Sequence, residues 1–367
     1  MNTKTDKSRF LPDYVVLPGE TIQEIIDSLG MSQTELAERM GRPIKTVNEI
    51  IKGKASITPN TALQLERVLG VPASFWNNLE KDYQQSIAHT KEQEALKADL
   101  SWLNIFPLSE MIKRGWVKRQ QDKVAQIKEV LSYFGVATVS QWKEMYSGQK
   151  IAYRESKSFK SHPGAVAAWI RQGQKISQET DTSEYDERKF RESLSKIREL
   201  TLESNPRKFI PKLKDLCAAS GVVVSFVKEL QGVKVCGATF WPAPKKACIL
   251  LTIRYKTNDH LWFTFFHEAG HILYDGKIMV FDETIDNNEN ESEQRANNFA
   301  CTTLIPPEMY KQLVRNRSFS LSSIVSFSDE IGVAPGIVLG RLQHDGYIPW
   351  ASRLSKSLKV RYEWSAS

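Results

Sequence analysis

The most chemically specific stretch of the chain is His267-Glu268-Ala269-Gly270-His271. Histidines four apart on a helix lie about 40° apart in projection, so both imidazoles can reach one metal ion. The intervening Glu268 then lies beside that ion. A zinc ion held by such a pair lowers the pKa of its bound water toward neutrality, and a neighbouring carboxylate can take the proton as an amide carbonyl is attacked. The expected chemistry is zinc-assisted amide hydrolysis, with His267 and His271 as ligands, Glu268 as base and Zn2+ as cofactor.

The elements around the motif must bury it and complete it. Thr257-Asn258-Asp259 offers cap-like residues, Leu261, Trp262, Phe265, Phe266, Ile272 and Leu273 make the helix apolar nearly all round, and Gly276 can end it. Two purely structural histidines there would be buried with no stated partner, a costly arrangement. A further ligand is sought downstream, where residues 291–304 read as a helix stopped by Pro306-Pro307. Glu293, Ala296, Asn297 and Ala300 share one face of it, and the alanines permit close approach. Glu293 is therefore the expected third ligand, with Glu291 and Glu289 as alternatives, leaving one open position for water. Upstream, β-rich runs at 222–227, 235–241 and 247–255 are separated by Gly232 and Pro242-Ala243-Pro244. His260 lies two turns from His267 and reads as a capping or core residue; His89 and His162 have no ligand-type neighbours. Tyr274 and His344 are unranked candidates for an oxyanion donor.

The N-terminal part carries a different signal. Five helices are read between about residues 18 and 79, including the capping box Ser32-Gln33-Thr34-Glu35, a helix ending at Gly41, and a short helix over 44–51. Small Ala37 allows a close crossing, while Val47 and Ile50 face inward, the pattern of a helix-turn-helix. Lys45, Thr46, Asn48, Glu49 and Lys52 then face outward toward a DNA groove, and Gln33 stands where such folds clamp a phosphate. A plain helical bundle or a partner-docking module is the alternative.

Composition bounds these readings. The 367 residues carry a net charge of +7, enough chain for two or three domains. Lys and Arg number 10 against 11 Asp and Glu over residues 1–90, 24 against 17 over 91–220, and 16 against 15 over 221–367. The basic excess is in the middle, so DNA binding at the N-terminus must rest on local geometry rather than bulk charge. Lys113-Arg114, Lys118-Arg119, Lys123 and Lys128 read as a solvated helix face with DNA contact as the alternative. The four cysteines form no C-x-x-C pair, so no structural zinc cluster or disulfide framework is expected. The polar N-terminus and the lack of a membrane-length apolar run place the expectation in the cytoplasm.

Residues 15–85, with Gly30-Met31-Ser32-Gln33-Thr34-Glu35-Leu36-Ala37-Glu38-Arg39-Met40-Gly41, Ile57-Thr58-Pro59, Leu69-Gly70-Val71-Pro72 and Phe75-Trp76-Asn77-Asn78-Leu79, resemble the XRE-type domain of HigA-family antitoxins. The resemblance implies a homodimer that binds a palindromic double-stranded DNA operator and represses its own operon. Arg42-Pro43-Ile44 departs from the family's usual Val-Ser entry to the recognition helix. His267-Glu268-Ala269-Gly270-His271, Glu293-Gln294-Arg295-Ala296-Asn297-Asn298-Phe299-Ala300 and Leu304-Ile305-Pro306 are similar to the ImmA/IrrE metallopeptidase family. That resemblance implies a zinc site of His267, His271 and Glu293, with Glu268 as catalytic base acting on a DNA-binding repressor. The combined expectation is a multidomain chain: an all-α helix-turn-helix domain (1–90), a helical connector (91–205) and an α+β zincin-like domain with a helical tail (206–367). Its expected function is an antitoxin-type regulator carrying a peptidase that cleaves a repressor or partner. The alternative is a non-catalytic antitoxin whose peptidase-like domain only binds a toxin or partner.

Overall fold

The computed structural model describes residues 16–146, 162–276, 280–282 and 291–364. Contacts divide the chain into two units, Met1–Leu100 and Ser101–Ser367.

The first unit is all-helical: α1 (Pro18–Ser28), α2 (Gln33–Met40), α3 (Ile44–Ile51), α4 (Pro59–Leu69) and α5 (Ala73–Ala98). Ile22, Ile26, Leu36, Ala37, Val47, Ile50, Leu65 and Trp76 form its core, so the residues at helical spacing are the ones buried. Half of the capping box forms: the Glu35 amide donates to Ser32 Oγ at 3.1 Å, while the Glu35 carboxylate takes Arg39 at 2.5 Å instead of reaching back. Pro43 stands at the N-cap of α3, where its missing N–H leaves no helical bond unmade.

α5 departs from the sequence expectation. A helix ending near Leu79 becomes one of 26 residues. The apolar periodicity stops at Leu79, but residues 80–98 contain neither Gly nor Pro and are mostly good helix formers, so nothing ends the helix there. The expected boundary at residue 90 thus falls inside α5, and contacts separate at Leu100.

The second unit is built on a four-stranded sheet of order β1-β3-β2-β4, from β1 (Val222–Phe226), β2 (Gly237–Ala243), β3 (Lys246–Leu251) and β4 (Val280–Asp282). β1 runs parallel to β3; β2 is antiparallel to both β3 and β4. β4 lies beyond the β-rich runs read from the sequence, and Glu289, an alternative ligand, lies outside the described residues. The helix Pro163–Glu179, expected in a connector, packs on the sheet, with Gly173 against the Leu250 side chain. Arg114, weighed as a DNA contact, donates instead to the carbonyls of Lys228 and Glu229 and to Glu110. Among the described residues no single helix is long and apolar enough to cross a membrane.

The motif helix, Asn258–Tyr274, is buried along nearly all its length, as its apolar circumference requires. Its start is secured differently from the expected cap. Thr257 makes no side-chain capping bond. Instead the Asn258 amide donates to the Val360 carbonyl at 3.0 Å, and the Val360 amide donates to Asn258 Oδ1 at 3.1 Å. Lys359 Nζ meets Asp259 Oδ2 at 2.6 Å. The C-terminal tail therefore straps the helix start. Against the other end lies the helix Glu291–Leu304. A Cβ on Gly270 would sit 3.0 Å from Ala296 Cα, so the glycine and the two buried alanines set how closely the helices approach.

Candidate metal centre and helix-turn-helix surface

The motif helix holds His267 and His271 one turn apart, 1% exposed each, with their Nε2 atoms 2.9 Å apart. The facing helix brings Glu293 to both: Oε2 lies 3.3 Å from His267 Nε2 and Oε1 lies 3.6 Å from His271 Nε2. One donor atom from each of the three residues falls within 4.8 Å of the others. Glu293 is 18% exposed where the histidines are sealed, so the cluster opens to the surface on its carboxylate side. Glu291 is exposed and is not part of the cluster.

The far side of each imidazole is occupied. His267 Nδ1 lies 2.9 Å from Asn297 Oδ1, and His271 Nδ1 lies 2.5 Å from Asp275 Oδ2. An acceptor at each Nδ1 fixes the proton there and turns Nε2 toward Glu293, the orientation a metal-ligating histidine needs. Asp275 is itself anchored by Ser292 at 2.5 Å and Arg295 at 2.9 Å. Asn297 was placed by spacing on the Glu293 face but given no role, and Asp275 was missed. A signal existed, since His267, His271 and Asp275 follow one another at steps of four.

Electrostatics follow from this packing. Burial alone would lower the pKa of His271, but the bonds to Asp275 and Glu293 outweigh it and raise it to about 10. Burial likewise pushes Glu293 up, and the two histidines outweigh that and hold it at about 2. Asp275 follows the same balance: burial raises it, and His271, Ser292 and Arg295 hold it well below the usual carboxylate range. The cluster is thus a buried ion network whose charges compensate one another.

Glu268 is fully buried beside the cluster. The Thr239 hydroxyl on β2 reaches its Oε2 at 2.6 Å. A Cβ at Gly237, also on β2, would stand 2.5 Å from Glu268 Oε1. The sheet therefore both orients the carboxylate and leaves room for it, two contributions that no local motif announces.

The two candidate oxyanion donors are held by other partners. Tyr274 is 45% exposed, its ring packed on Phe299 and its hydroxyl 3.4 Å from an Arg191 nitrogen. His344 is exposed and bonds Asp345 at 3.1 Å. His260, read as a capping or core residue, is half-buried and stacks between the exposed rings of Tyr255 and Trp350, with ring centres 4.4 and 6.1 Å away.

On the first unit, Val47 and Ile50 are buried while Lys45 and Lys52 are exposed and Thr46, Asn48 and Glu49 are half-buried. Lys45 lies 3.9 Å from Glu49, a loose pair on an open surface. Gln33, at the start of α2, is steadied by Gln23, whose Oε1 accepts from Gln33 Nε2 at 2.5 Å. The side chains singled out on α3 therefore form an open helix face presented by a closed core.

Two families meet in this chain. The helix-turn-helix model matches residues 22–76, and the IrrE N-terminal-like domain model matches residues 217–342. The chain belongs to the helix-turn-helix family through its first unit and carries an IrrE N-terminal-like domain in its second. It is similar to the HTH-type transcriptional regulator YddM of Escherichia coli K12, 38% identical over 63 residues that make up 17% of this chain and 67% of that protein. It is also similar to virulence-associated protein I of Dichelobacter nodosus, 32% identical over 77 residues, 21% of this chain and 71% of the other. Among solved structures, an addiction-module antidote protein of the HigA family from Coxiella burnetii is 32% identical, with 23% of this chain and 92% of that one covered and a TM-score of 0.21. Antitoxin HigA of Pseudomonas aeruginosa, solved with the higBA promoter, is 27% identical, with 22% and 89% covered and a TM-score of 0.22.

Proposed function

We propose that this chain is a cytoplasmic DNA-binding regulator of antitoxin type whose second unit is a zinc-dependent endopeptidase. The observation that carries the catalytic half is the convergence of His267 Nε2, His271 Nε2 and the Glu293 carboxylate, with both Nδ1 atoms already bound to acceptors. Two imidazoles and one carboxylate form a donor set suited to a catalytic zinc, which supplies Lewis acidity and an open position for water when bound. In this reading Asn297 and Asp275 hold the ligating rings. Glu268, oriented by Thr239, takes the proton of the attacking water and hands it to the departing amine. Burial of Glu268 keeps bulk water from competing for that proton. The target is a repressor or partner protein.

The first unit supplies the address. α3 enters the major groove with Lys45, Thr46, Asn48, Glu49 and Lys52, Gln33 contacts a phosphate, and a homodimer matches a palindromic operator. The near-balanced charge of residues 1–90 makes the affinity depend on those few contacts.

The decisive experiment measures bound zinc in the purified full chain, then compares new protein N-termini in cells carrying wild type or Glu268→Gln. One zinc per chain, lost in His271→Ala, and cleavage products absent from Glu268→Gln are expected. A chain without zinc, or products that persist in Glu268→Gln, would sink the peptidase. Zinc without any product would favour an antitoxin whose second unit only binds a toxin or partner.

A further inference from the structure

Arg42 stands in the turn between α2 and α3, beside the helix face assigned to DNA, and its placement is fixed at several points. Gly41 ends α2 with φ at +63°, and the Arg42 amide donates to the Ala37 carbonyl at 2.9 Å, which closes the turn tightly. Pro43 follows with φ at −59°, the value its ring imposes. The side chain is held as well: Nε donates to Oε1 of Gln64, on α4, at 2.5 Å.

The partner that holds Arg42 is neutral. Arg39, one turn away, is paired with the Glu35 carboxylate, whereas among the described residues Arg42 makes no ion pair and its two terminal amino groups make no hydrogen bond. A carboxylate at position 64 would fix the guanidinium and cancel its charge; the amide fixes it and leaves the charge available. With Nε engaged, Nη1 and Nη2 remain as two parallel donors in one plane. The N-terminal residues of a recognition helix are the ones that meet base edges. Here they are Pro43 and Ile44, both exposed, and neither side chain has a donor. The side-chain donors nearest that end are Arg42 and Lys45, and Lys45 lies 3.9 Å from Glu49.

We infer that Arg42, positioned by Gln64, reads a guanine in the major groove at the N-terminal end of α3. A guanidinium fork matches O6 and N7 of guanine together, the commonest base-specific contact, and an ammonium cannot reproduce it. The inference rests on the DNA-binding reading of the first unit and is independent of the metal centre.

Selection of duplexes from a random-sequence pool by the full chain, followed by fluorescence anisotropy on the selected duplex and on an unrelated one, tests it. Wild type, Arg42→Lys and Gln64→Met are compared, with thermal melts alongside. Wild type is expected to select a site with a fixed G·C pair. Arg42→Lys keeps the charge and loses the fork, so it should bind that site about tenfold or more weakly, accept other pairs at that position, and bind the unrelated duplex as wild type does. Gln64→Met leaves Arg42 in place but loose, and should show a smaller loss confined to the same pair. Arg42→Lys selecting the wild-type site with wild-type affinity overturns the inference and leaves DNA binding standing. Equal losses on both duplexes overturn it in favour of a phosphate contact, and losses that track a lowered melting temperature overturn it in favour of a structural tie. Gln64→Met binding as wild type overturns the positioning. A wild type that selects no sequence removes the DNA-binding reading and this inference together.

Discussion

The face of α3 and the face of the motif helix present opposite designs. On α3 the side chains singled out for function are exposed or half-buried, and Val47 and Ile50 behind them do the packing. On the motif helix the side chains singled out for function are the packing: His267, Glu268 and His271 are all at most 1% exposed and are held by Asn297, Thr239 and Asp275. On the proposed function, activity and stability are separable on the first surface and fused in the second. Substitutions on α3 should alter binding and leave melting alone. Substitutions in the metal centre should alter several properties together, unless shape and hydrogen bonding are kept.

Glu268→Gln is the sharpest such exception. The amide keeps the volume and can still accept from Thr239, but it cannot take a proton. Turnover should fall by roughly 10²–10⁴, with zinc content and melting temperature near wild type. A variant that also loses zinc would show that Glu268 acts mainly by shaping the cluster.

The pH dependence of metal binding comes next in size. With His271 raised to about 10 from 6.5, its contribution to the metal-free fold is complete below pH 6.5 and is lost as pH climbs through 10. Glu293, lowered to about 2 from 4.5, contributes fully above pH 4.5 and loses that contribution as pH falls through 2. The metal-free cluster is therefore most stabilising between about pH 4.5 and 6.5. At pH 7 zinc must expel the His271 proton, so apparent affinity should rise about tenfold per pH unit. Titrations in buffers of different ionisation enthalpy would count the proton released; a count of zero contradicts the raised value.

Asp275→Asn removes a charge behind His271 and leaves its size. Zinc affinity should drop by roughly 10–100-fold, the usual effect of losing a partner behind a ligating ring. Competition with a fluorescent chelator measures it. An unchanged affinity would mean that Ser292, at 3.5 Å from His271 Nδ1, can hold the ring alone.

These residues also show what a sequence can and cannot announce. His267, His271 and Glu293 were legible because each pair of neighbours in space lies either on one helix at steps of four or on the single face of the next helix. Asp275 was equally legible by its spacing and was missed. Thr239 and Gly237 were not legible, because they reach Glu268 from a strand about 30 residues away whose register no local pattern fixes. The strap of Lys359 and Val360 on the motif helix is separated from it by about 100 residues, so only the folded chain reveals why Asn258 and Asp259 are buried. The length of α5 was hidden for a different reason. A polar helix carries no apolar stripe, and only the lack of a breaker marks its continuation.

On α3 the expected effects are smaller and cleaner. Asn48→Ala should weaken operator binding by about 1–3 kcal/mol and relax preference at one base pair, if Asn48 reads an adenine edge. Lys52→Ala should act more weakly and without regard to sequence. Lys52 is exposed at the end of α3, so it can meet a phosphate but has no packing to lose. The slope of log affinity against log salt should fall by about one, and binding to operator and to unrelated DNA should weaken alike. Melting temperature should stay put, since surface substitutions usually stay within about 0.5 kcal/mol. Fluorescence anisotropy across a salt series reads the slope, and calorimetry reads the melting. Were Lys52→Ala to lower the melting temperature substantially, α3 would be part of a packed interface, and the separation of function from stability on this face would fail.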